Sequence, residues 1–147
     1  MKMNKSNCEK AEMLVEVLPY VNRFRDKIIV IKYGGNAMIN EDLKKAVMQD
    51  LLLMKSVGMH PILVHGGGPA INDMLKKLKV ESHFEQGLRV TDKETMEIVE
   101  MVLAGKVNKD IVGTLNQIGG KGIGLSGKDG NLIQARKKYL EKNGEKI

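Results

Sequence analysis

The apolar positions of the chain follow a helical spacing in some segments and an extended pattern in others. Apolar residues recur at helical spacing between residues 9 and 24, which predicts an amphipathic helix that Pro19 must kink or restart. The run KIIVIK at 27–32 is unbroken and rich in β-branched residues, as is typical of a strand buried on both faces. The run PILVH at 61–65 predicts a second strand.

Helical patterns follow each of these strands. One runs from Asn40 to a predicted C-terminal stop at Gly58, and another begins with Pro69 in its first helical position. The order helix, strand, helix, strand, helix predicts an α/β layered fold with a parallel sheet and right-handed crossovers. Such folds bind ligands at the carboxyl ends of their strands.

The second half of the chain is less regular. HFEQGLRV fits a short hairpin or an edge strand. Thr91-Asp92-Lys93-Glu94 has the spacing of a capping box, and a helical pattern follows that Gly105 breaks or bends before it stops at Gly119. KGIGLSGKDGNLIQARK at 121–137 predicts a strand, a turn at Asp129-Gly130 and a second strand.

Length and composition narrow the class of protein. The 147 residues suffice for one domain, and no apolar stretch approaches the ~20 residues that a membrane span needs. The N-terminus lacks the apolar core of a signal peptide, and the single Cys8 has no partner for an intramolecular disulfide. We therefore expect a cytoplasmic protein that does not enter a membrane.

The net charge of +6 raises the question of nucleic-acid binding. Much of the basic excess lies in ARKKYLEKNGEKI at 135–147, and only two Phe and three Tyr are available for stacking on bases. We therefore expect no nucleic-acid partner, and small anionic substrates fit the charge at least as well. If nucleic acid were bound, affinity would fall steeply with salt and would require the basic tail.

Two glycine-rich turns provide the main evidence for function. KYGGNAM follows the first predicted strand and HGGGPA follows the second, so a right-handed crossover places both turns at the same edge of the sheet. Glycine removes the Cβ that would keep a ligand away and leaves backbone N–H groups free to bind an anion beside a helix start. A phosphate or carboxylate ligand is indicated, although a tight turn alone can also require glycine.

Two cationic residues lie close to these turns in the sequence. Lys32 ends an apolar strand and can neutralise oxygen charge during phosphoryl transfer, or it can simply extend into water. Arg89 in GLRVTD can hold a carboxylate bidentately, or it can be an ordinary surface charge. His60, His65 and His83 lack metal-ligand spacing, so no metal site is predicted.

Four separated motifs resemble those of the acetylglutamate kinases, which are members of the amino acid kinase family. They are VIKYGGNAM, ILVHGGGPAIN, GLRVTD and GLSGKDGNLI, and the resemblance runs from about residue 10 to the C-terminus. It implies a three-layer αβα sandwich with a mainly parallel sheet. It also implies a transferase of arginine biosynthesis that phosphorylates the side-chain carboxylate of N-acetyl-L-glutamate, with ATP as co-substrate and Mg²⁺.

The resemblance also implies roles for individual residues. Those that it places in the active site are Lys32, Gly34, Gly35, Gly67, Gly68 and Arg89. The lysine stabilises the transition state of the transferring phosphoryl group, assisted by the backbone of the first glycine pair. The second glycine pair holds the reacting end of N-acetyl-L-glutamate, and the arginine clamps its α-carboxylate.

The resemblance divides the chain into two segments. Residues 1–26 form an N-terminal helix, and residues 27–147 form the N-acetylglutamate-binding domain. The ATP-binding half of the family, which holds most of the contacts to ATP and Mg²⁺, does not occur in these 147 residues. We therefore expect a fragment that carries the substrate half-site and turns over little by itself. The alternative is a non-catalytic ligand-binding or oligomerisation module derived from an amino acid kinase.

The N-terminal helix also resembles an extension found in arginine-inhibited family members. There it helps to join dimers into a hexamer, and L-arginine acts as feedback inhibitor of the complete enzyme. A homo-oligomer is therefore expected, with a dimer contact on helices of this half. An amphipathic helix in this place could equally cover its own domain.

Overall fold

A computed structural model describes residues 6–136, 141–142 and 145–146. Its elements are the helices α1 (Asn7–Phe24), α2 (Asn36–Ile39), α3 (Glu41–Ser56), α4 (Gly68–Leu78), α5 (Lys93–Glu100) and α6 (Asn108–Gln117), a π-helix (Met101–Val107), a 3-10 turn (Asp129–Asn131), and the strands β1 (Ile28–Tyr33), β2 (His60–His65), β3 (His83–Glu85), β4 (Leu88–Val90), β5 (Glu141–Lys142) and β6 (Glu145–Lys146). None of the described helices is both long and apolar enough to cross a bilayer.

Two parallel strands form the centre of the fold. β1 pairs with β2 in a register that sets Ile28 opposite His60 and Tyr33 opposite His65, and α2 and α3 make the crossover between them. β3 and β4 form an antiparallel hairpin, which decides between the hairpin and the edge strand predicted for HFEQGLRV. The predicted α/β class with a parallel sheet is confirmed.

The core lies between one face of this sheet and the helices that follow it. Side chains of β1, α3, α4, α5, the π-helix and α6 meet there, and three of them are almost completely buried. The buried apolar residues are Tyr33, Met48, Leu51, Ile71, Leu75, Ile98, Val102, Val107 and Ile111. A single layer of helices therefore holds the inner face of the sheet in place.

The other face of the sheet is exposed, which contradicts the prediction of strands buried on both faces. Burial alternates along β1 and β2, and Ile28, Val30, Ile62 and Val64 all point outward. The β-branched run predicted a strand correctly, but the composition of a strand does not say which elements cover it. The described residues form two of the three layers that the resemblance implies.

The structure shows the cap of α3 and corrects the cap predicted for α5. Asn40 caps α3, because its side-chain oxygen accepts from the amides of Asp42 and Leu43. At α5 the cap is Asp92, which accepts from the Thr95 amide, so the capping box predicted from Thr91 is wrong. A carboxylate one residue nearer the helix occupies the capping position, and the Thr91 hydroxyl donates to the Arg89 carbonyl instead.

The long helical pattern of the second half is continuous. α5, the π-helix and α6 follow one another without a break, so Gly105 does not end the helix and lies inside the π-helical segment. A π-helix adds a residue to a turn and is often found at functional sites. Leu103 and Val107 of the π-helix lie against Gly67, directly before α4.

The strand, turn, strand prediction for 121–137 is wrong. Residues 121–136, the part of this segment that the structure describes, contain a 3-10 turn at Asp129–Asn131 and no strand. Its polar residues close local bonds: the Asp129 carboxylate accepts from the Ser126 amide at 2.5 Å, and the Ile133 amide donates to the Gly127 carbonyl at 3.0 Å. These contacts occupy the groups that a hairpin ladder would have used.

Helix α1 stands apart from the core. It begins with a capping box between Ser6 and Glu9 and runs through Pro19 as one helix, so the proline does not restart it. None of its residues is buried, and large apolar side chains such as Leu14 and Leu18 are more than half exposed. The helix therefore does not cover the domain core.

Candidate functional site

The two glycine turns lie side by side at the carboxyl edge of the sheet. Tyr33 and His65 are the last residues of their strands and are partners in the register, so the turns after them begin at the same point. The Gly66 amide donates to the Tyr33 carbonyl at 3.3 Å and joins the two turns. This is the convergence that the sequence predicted from a parallel crossover.

The first turn is open around its backbone. A side chain on Gly34 or Gly35 would meet no atom within 4 Å, and Gly35 has a φ of 62°, in the left-handed region that favours glycine. The Tyr33 hydroxyl donates to the Ala37 carbonyl at 2.7 Å and so connects the two ends of the turn. Burial raises the pKa of Tyr33, so this hydroxyl remains a donor.

The three consecutive glycines of the second turn have different environments. A Cβ on Gly67 would lie 2.5 Å from Leu103 Cδ2 and 3.4 Å from Val107 Cγ2, whereas one on Gly66 or Gly68 would meet nothing within 4 Å. A Cβ at the middle position would therefore force the Leu103 side chain of the π-helix to move. A Cβ on Gly66 or Gly68, in contrast, would lie in open space.

The start of α4 is available to an anion. Gly67 is the residue before the helix and offers no side-chain cap, and Pro69 in the first turn has no amide hydrogen. The Ile71 amide donates to the Gly67 carbonyl at 2.9 Å, so the helical bonds begin there. The amides before Ile71 form the positive end of the helix dipole, where carboxylates and phosphates bind.

Lys32 lies at the same edge. It is the penultimate residue of β1 and is opposite Val64 in the register. Its side chain is exposed on the uncovered face of the sheet, and it forms no side-chain hydrogen bond or ion pair within the described part of the chain. Lys32 is therefore accessible from solvent two residues before Gly34.

Arg89 approaches α4 from the hairpin. Its Nη1 donates to Ser82 Oγ, its Nη2 donates to Asn72 Oδ1, and the guanidinium lies over the Phe84 ring at 4.6 Å from the centroid. Asn72 is one helical turn after Gly68 and lies on the same side of α4. The tertiary structure thus brings the predicted arginine close to the second glycine turn.

A polar contact behind the second turn was not predicted from the sequence. The buried Asn108 lies 3.3 Å from His65 Nε2 and donates to the Leu125 carbonyl at 3.3 Å. His65 Nδ1 lies 2.8 Å from the Gly66 carbonyl, so we assign the proton to Nδ1 and the acceptor role to Nε2. Asn108 Oδ1 is buried against Gly124, where any side chain would overlap it, and has no hydrogen-bond partner among the described residues.

An ion pair between the buried Lys44 and the exposed Asp110 lies beside the site and was also missed. Lys44 Nζ is 2.6 Å from Asp110 Oδ2 and borders a cavity of about 160 Å³ that reaches the start of α4. Burial alone would lower the pKa of Lys44, but the hydrogen bond and charge of Asp110 outweigh it and raise that pKa. The signal was present, because Lys44 occupies the helical spacing of Met48 and Leu51 on the core side of α3.

The described residues do not form a metal centre. No three His, Cys, Asp or Glu side chains come together among them in a way that could hold an ion. They therefore do not fit a complete Mg²⁺ site, and the groups predicted to bind anions at this edge are the amides of the turns, Lys32 and Arg89.

Comparison with known proteins points to one family. The model of the amino acid kinase family matches residues 27–147. The acetylglutamate kinase of Caldicellulosiruptor bescii is 63% identical over 139 residues, which cover 95% of this chain and 47% of that protein. The acetylglutamate kinase of Heliobacterium modesticaldum is 63% identical over 136 residues, which cover 92% and 46%. The chain spans about half the length of these curated relatives.

Solved structures share the fold. The Streptococcus mutans UA159 protein smu.665 is 35% identical, with a TM-score of 0.55 over 63% of this chain and 37% of that chain. An N-acetylglutamate synthase from Neisseria gonorrhoeae has a TM-score of 0.60 at 23% identity, over 76% of this chain and 25% of that chain. At that identity the second likeness concerns the fold alone.

Proposed function

The chain belongs to the amino acid kinase family, and we propose that its activity is that of an acetylglutamate kinase. The reaction is transfer of the γ-phosphoryl group of ATP to the side-chain carboxylate of N-acetyl-L-glutamate, a step of arginine biosynthesis. Relatives with this name are similar along almost the whole chain. Because the chain spans about half of their length, the proposal concerns the substrate side of the reaction.

The observation that carries the proposal is the set of groups at one sheet edge. The two glycine turns, Lys32 and Arg89 come from β1, β2 and the hairpin, which are far apart in the sequence. Exposed backbone amides, an ammonium group and a guanidinium are the groups that hold carboxylates and phosphoryl oxygens. A ligand with two carboxylates matches this set, because one can lie on the amides while the other meets the arginine.

We assign the chemistry as follows. A side-chain carboxylate oxygen attacks the γ-phosphorus, the bond to the ADP oxygen breaks, and an acyl phosphate forms. The amides of Gly67 and Gly68 hold the attacking carboxylate, while Arg89 binds the α-carboxylate. Lys32 and the Gly34–Gly35 backbone offset the charge on the phosphoryl oxygens. Positioning two anions and reducing their repulsion is most of the catalysis that phosphoryl transfer needs.

ATP and Mg²⁺ are held mainly by residues other than these 147 in this proposal. The observation behind it is that the described residues provide no cluster of metal ligands. The chain itself contributes cationic and amide groups to the phosphoryl acceptor side, and we derive no step through the metal. The exposed free thiol of Cys8 supports a reducing cytoplasm as the place of the reaction.

Helix α1 has a separate role in this proposal. Its exposed apolar residues and its lack of buried positions fit a helix that packs against other copies of the chain rather than its own core. A homo-oligomer built in this way, with L-arginine as the inhibitor of the complete enzyme, is the arrangement that we propose. Residues 1–26 then form the oligomerisation segment, and residues 27–147 form the substrate domain.

Calorimetry with N-acetyl-L-glutamate tests the function. We expect the chain to bind it and to bind L-glutamate much more weakly, because the free amino group brings a positive charge into a cationic site. Arg89→Ala should weaken binding by at least tenfold, since a carboxylate loses its charge-assisted bonds. Lys93→Ala removes a cation from α5 outside the proposed site. It is the matched control and should bind N-acetyl-L-glutamate as the wild type does. Equal affinity of the wild type and Arg89→Ala would remove Arg89 from the site.

A chimaera tests the reaction itself. In it, this chain replaces the part that it matches in the Caldicellulosiruptor bescii relative. We expect ATP-dependent formation of an acyl phosphate, trapped with hydroxylamine as a hydroxamate. Residues 1–147 by themselves should form little or none. A chimaera that folds and binds ATP but forms no acyl phosphate from N-acetyl-L-glutamate would contradict the proposed function.

A further inference from the structure

We propose that Asn72 is a positioning residue that sets the Arg89 guanidinium for binding of a ligand carboxylate. This inference rests on the proposed function, because it concerns the residue that we assign to the α-carboxylate. It adds a residue of α4 to the proposed substrate site. The contact between Arg89 Nη2 and Asn72 Oδ1 is the observation that carries it.

Three groups hold the guanidinium from different directions. Asn72 Oδ1 from α4 and Ser82 Oγ from the connection before the hairpin each accept from one terminal nitrogen, and the Phe84 ring supports one face. The side chain of Arg89 is therefore fixed in position and in plane before any ligand is bound. A long side chain that is already ordered loses less entropy when it binds a carboxylate.

The contacts leave enough donors for a ligand. A guanidinium has five N–H donors, and the two protein bonds use one on each terminal nitrogen, so three remain. A bidentate carboxylate needs two. Asn72 and Ser82 thus orient the group without preventing a carboxylate from binding to it.

The neutral character of the holding groups is equally important. An amide oxygen and a hydroxyl oxygen accept from Arg89 without carrying a charge, so they do not cancel its positive charge. An aspartate at position 72 would hold the guanidinium as firmly, but it would compete electrostatically with the ligand carboxylate. The structure therefore predicts that asparagine and aspartate at this position have opposite effects on binding, although both hold Arg89.

The location of Asn72 connects the arginine to the anion site on α4. Asn72 is exposed and lies one helical turn from Gly68, whose amide belongs to the uncapped start of the helix. Through Asn72, the guanidinium is placed relative to the same helix that holds the other carboxylate of the ligand. The distance between the two anion-binding groups is then set by a rigid element and not by the hairpin alone.

Calorimetry on the whole chain with two ligands tests the inference. The ligands are N-acetyl-L-glutamate and N-acetyl-L-isoglutamine, in which a carboxamide replaces the α-carboxylate. Asn72→Ala should weaken binding of the acid roughly tenfold, as expected for a lost bond to a charged group, and should leave binding of the amide unchanged. Asn72→Asp should weaken binding of the acid more than Asn72→Ala does. Asp73→Asn, at the exposed neighbour on the same helix, is the control and should behave as wild type.

A measurement without ligand separates this inference from the proposed function. Rotation of the Arg89 guanidinium, followed by NMR of its side-chain nitrogens, should be slow in the wild type and in Asn72→Asp and fast in Asn72→Ala. Unchanged rotation in Asn72→Ala, or equal weakening of both ligands, would overturn the positioning role. If the wild type binds the acid and the amide equally, the assignment of Arg89 to the α-carboxylate fails, and with it the proposed substrate site.

Discussion

Replacement of Gly67 by alanine tests whether packing requires the middle glycine of the second turn. The added Cβ would lie 2.5 Å from Leu103 Cδ2 and 3.4 Å from Val107 Cγ2. Carbon atoms prefer about 3.5–4.0 Å, so the first contact is too close by roughly 1 Å. φ at Gly67 is 172°, extended backbone that alanine adopts freely, so the clash is the main cost. Overpacking of this kind destabilises a core by about 1–3 kcal/mol.

The free energy of unfolding, measured by urea denaturation with circular dichroism, checks this value. Gly67→Ala should lower it by about 1–3 kcal/mol. Gly68→Ala is the matched control, because its Cβ meets open space and alanine favours helices by up to about 1 kcal/mol over glycine. We expect no loss of stability from Gly68→Ala.

A double-mutant cycle then identifies the atom responsible. In a Leu103→Ala background the overlapping Cδ2 is gone, so Gly67→Ala should cost at least about 1 kcal/mol less than in the wild type. If Gly67→Ala is no more destabilising than Gly68→Ala, or if its cost is the same with and without Leu103, the packing explanation for this glycine is wrong. The ligand would then be the better reason for it.

Three further predictions follow from the same structure. Lys32→Ala in the active chimaera should reduce turnover by roughly 10² to 10³ with an unchanged melting temperature. Lys27→Ala, directly before β1, is the control and should have little effect. Similar rates for both variants would exclude Lys32 from catalysis. Hydrogen bonds from the Thr95 amide and hydroxyl lower the pKa of Asp92 below its ordinary value of 3.8. The cap therefore stabilises the fold fully above pH 3.8, and this stabilisation is lost as the pH falls through the lower pKa of the folded state. Asp92→Asn should therefore reduce the acid sensitivity of unfolding, and an unchanged pH profile would contradict this role. A chain that starts at residue 27 should sediment with fewer copies per particle than residues 1–147, whereas an equal number of copies would exclude α1 from assembly.

The glycine edge was predicted from the sequence for a clear physical reason. A parallel crossover sets the carboxyl ends of both strands at one edge, so KYGGNAM and HGGGPA had to meet if the two strands paired. Asn40 as the cap of α3 was also encoded locally, because its side chain bonds amides two and three residues away. Such features depend on neighbouring residues and on the period of the apolar pattern.

The errors arose where several local solutions compete. Asp129-Gly130 fits a hairpin turn, but Ser126 and Asp129 bond to each other and close a 3-10 turn instead. Thr91 and Asp92 are both residue types that cap helices well. Because α5 begins at Lys93, Asp92 occupies the capping position. In each case the residue types were compatible with two structures, and only the backbone geometry distinguished them.

By itself the sequence determined β1, β2 and the helices that follow them, the parallel order of these strands, the glycine edge and the cationic residues near it in the sequence. Only the tertiary structure decided that Leu103 of the π-helix packs on Gly67, that Asn72 and Ser82 hold Arg89, and that Asn108 meets His65. These contacts join residues of different elements, up to 43 positions apart. Local periodicity cannot encode them, because they depend on how helices and the hairpin pack around the sheet.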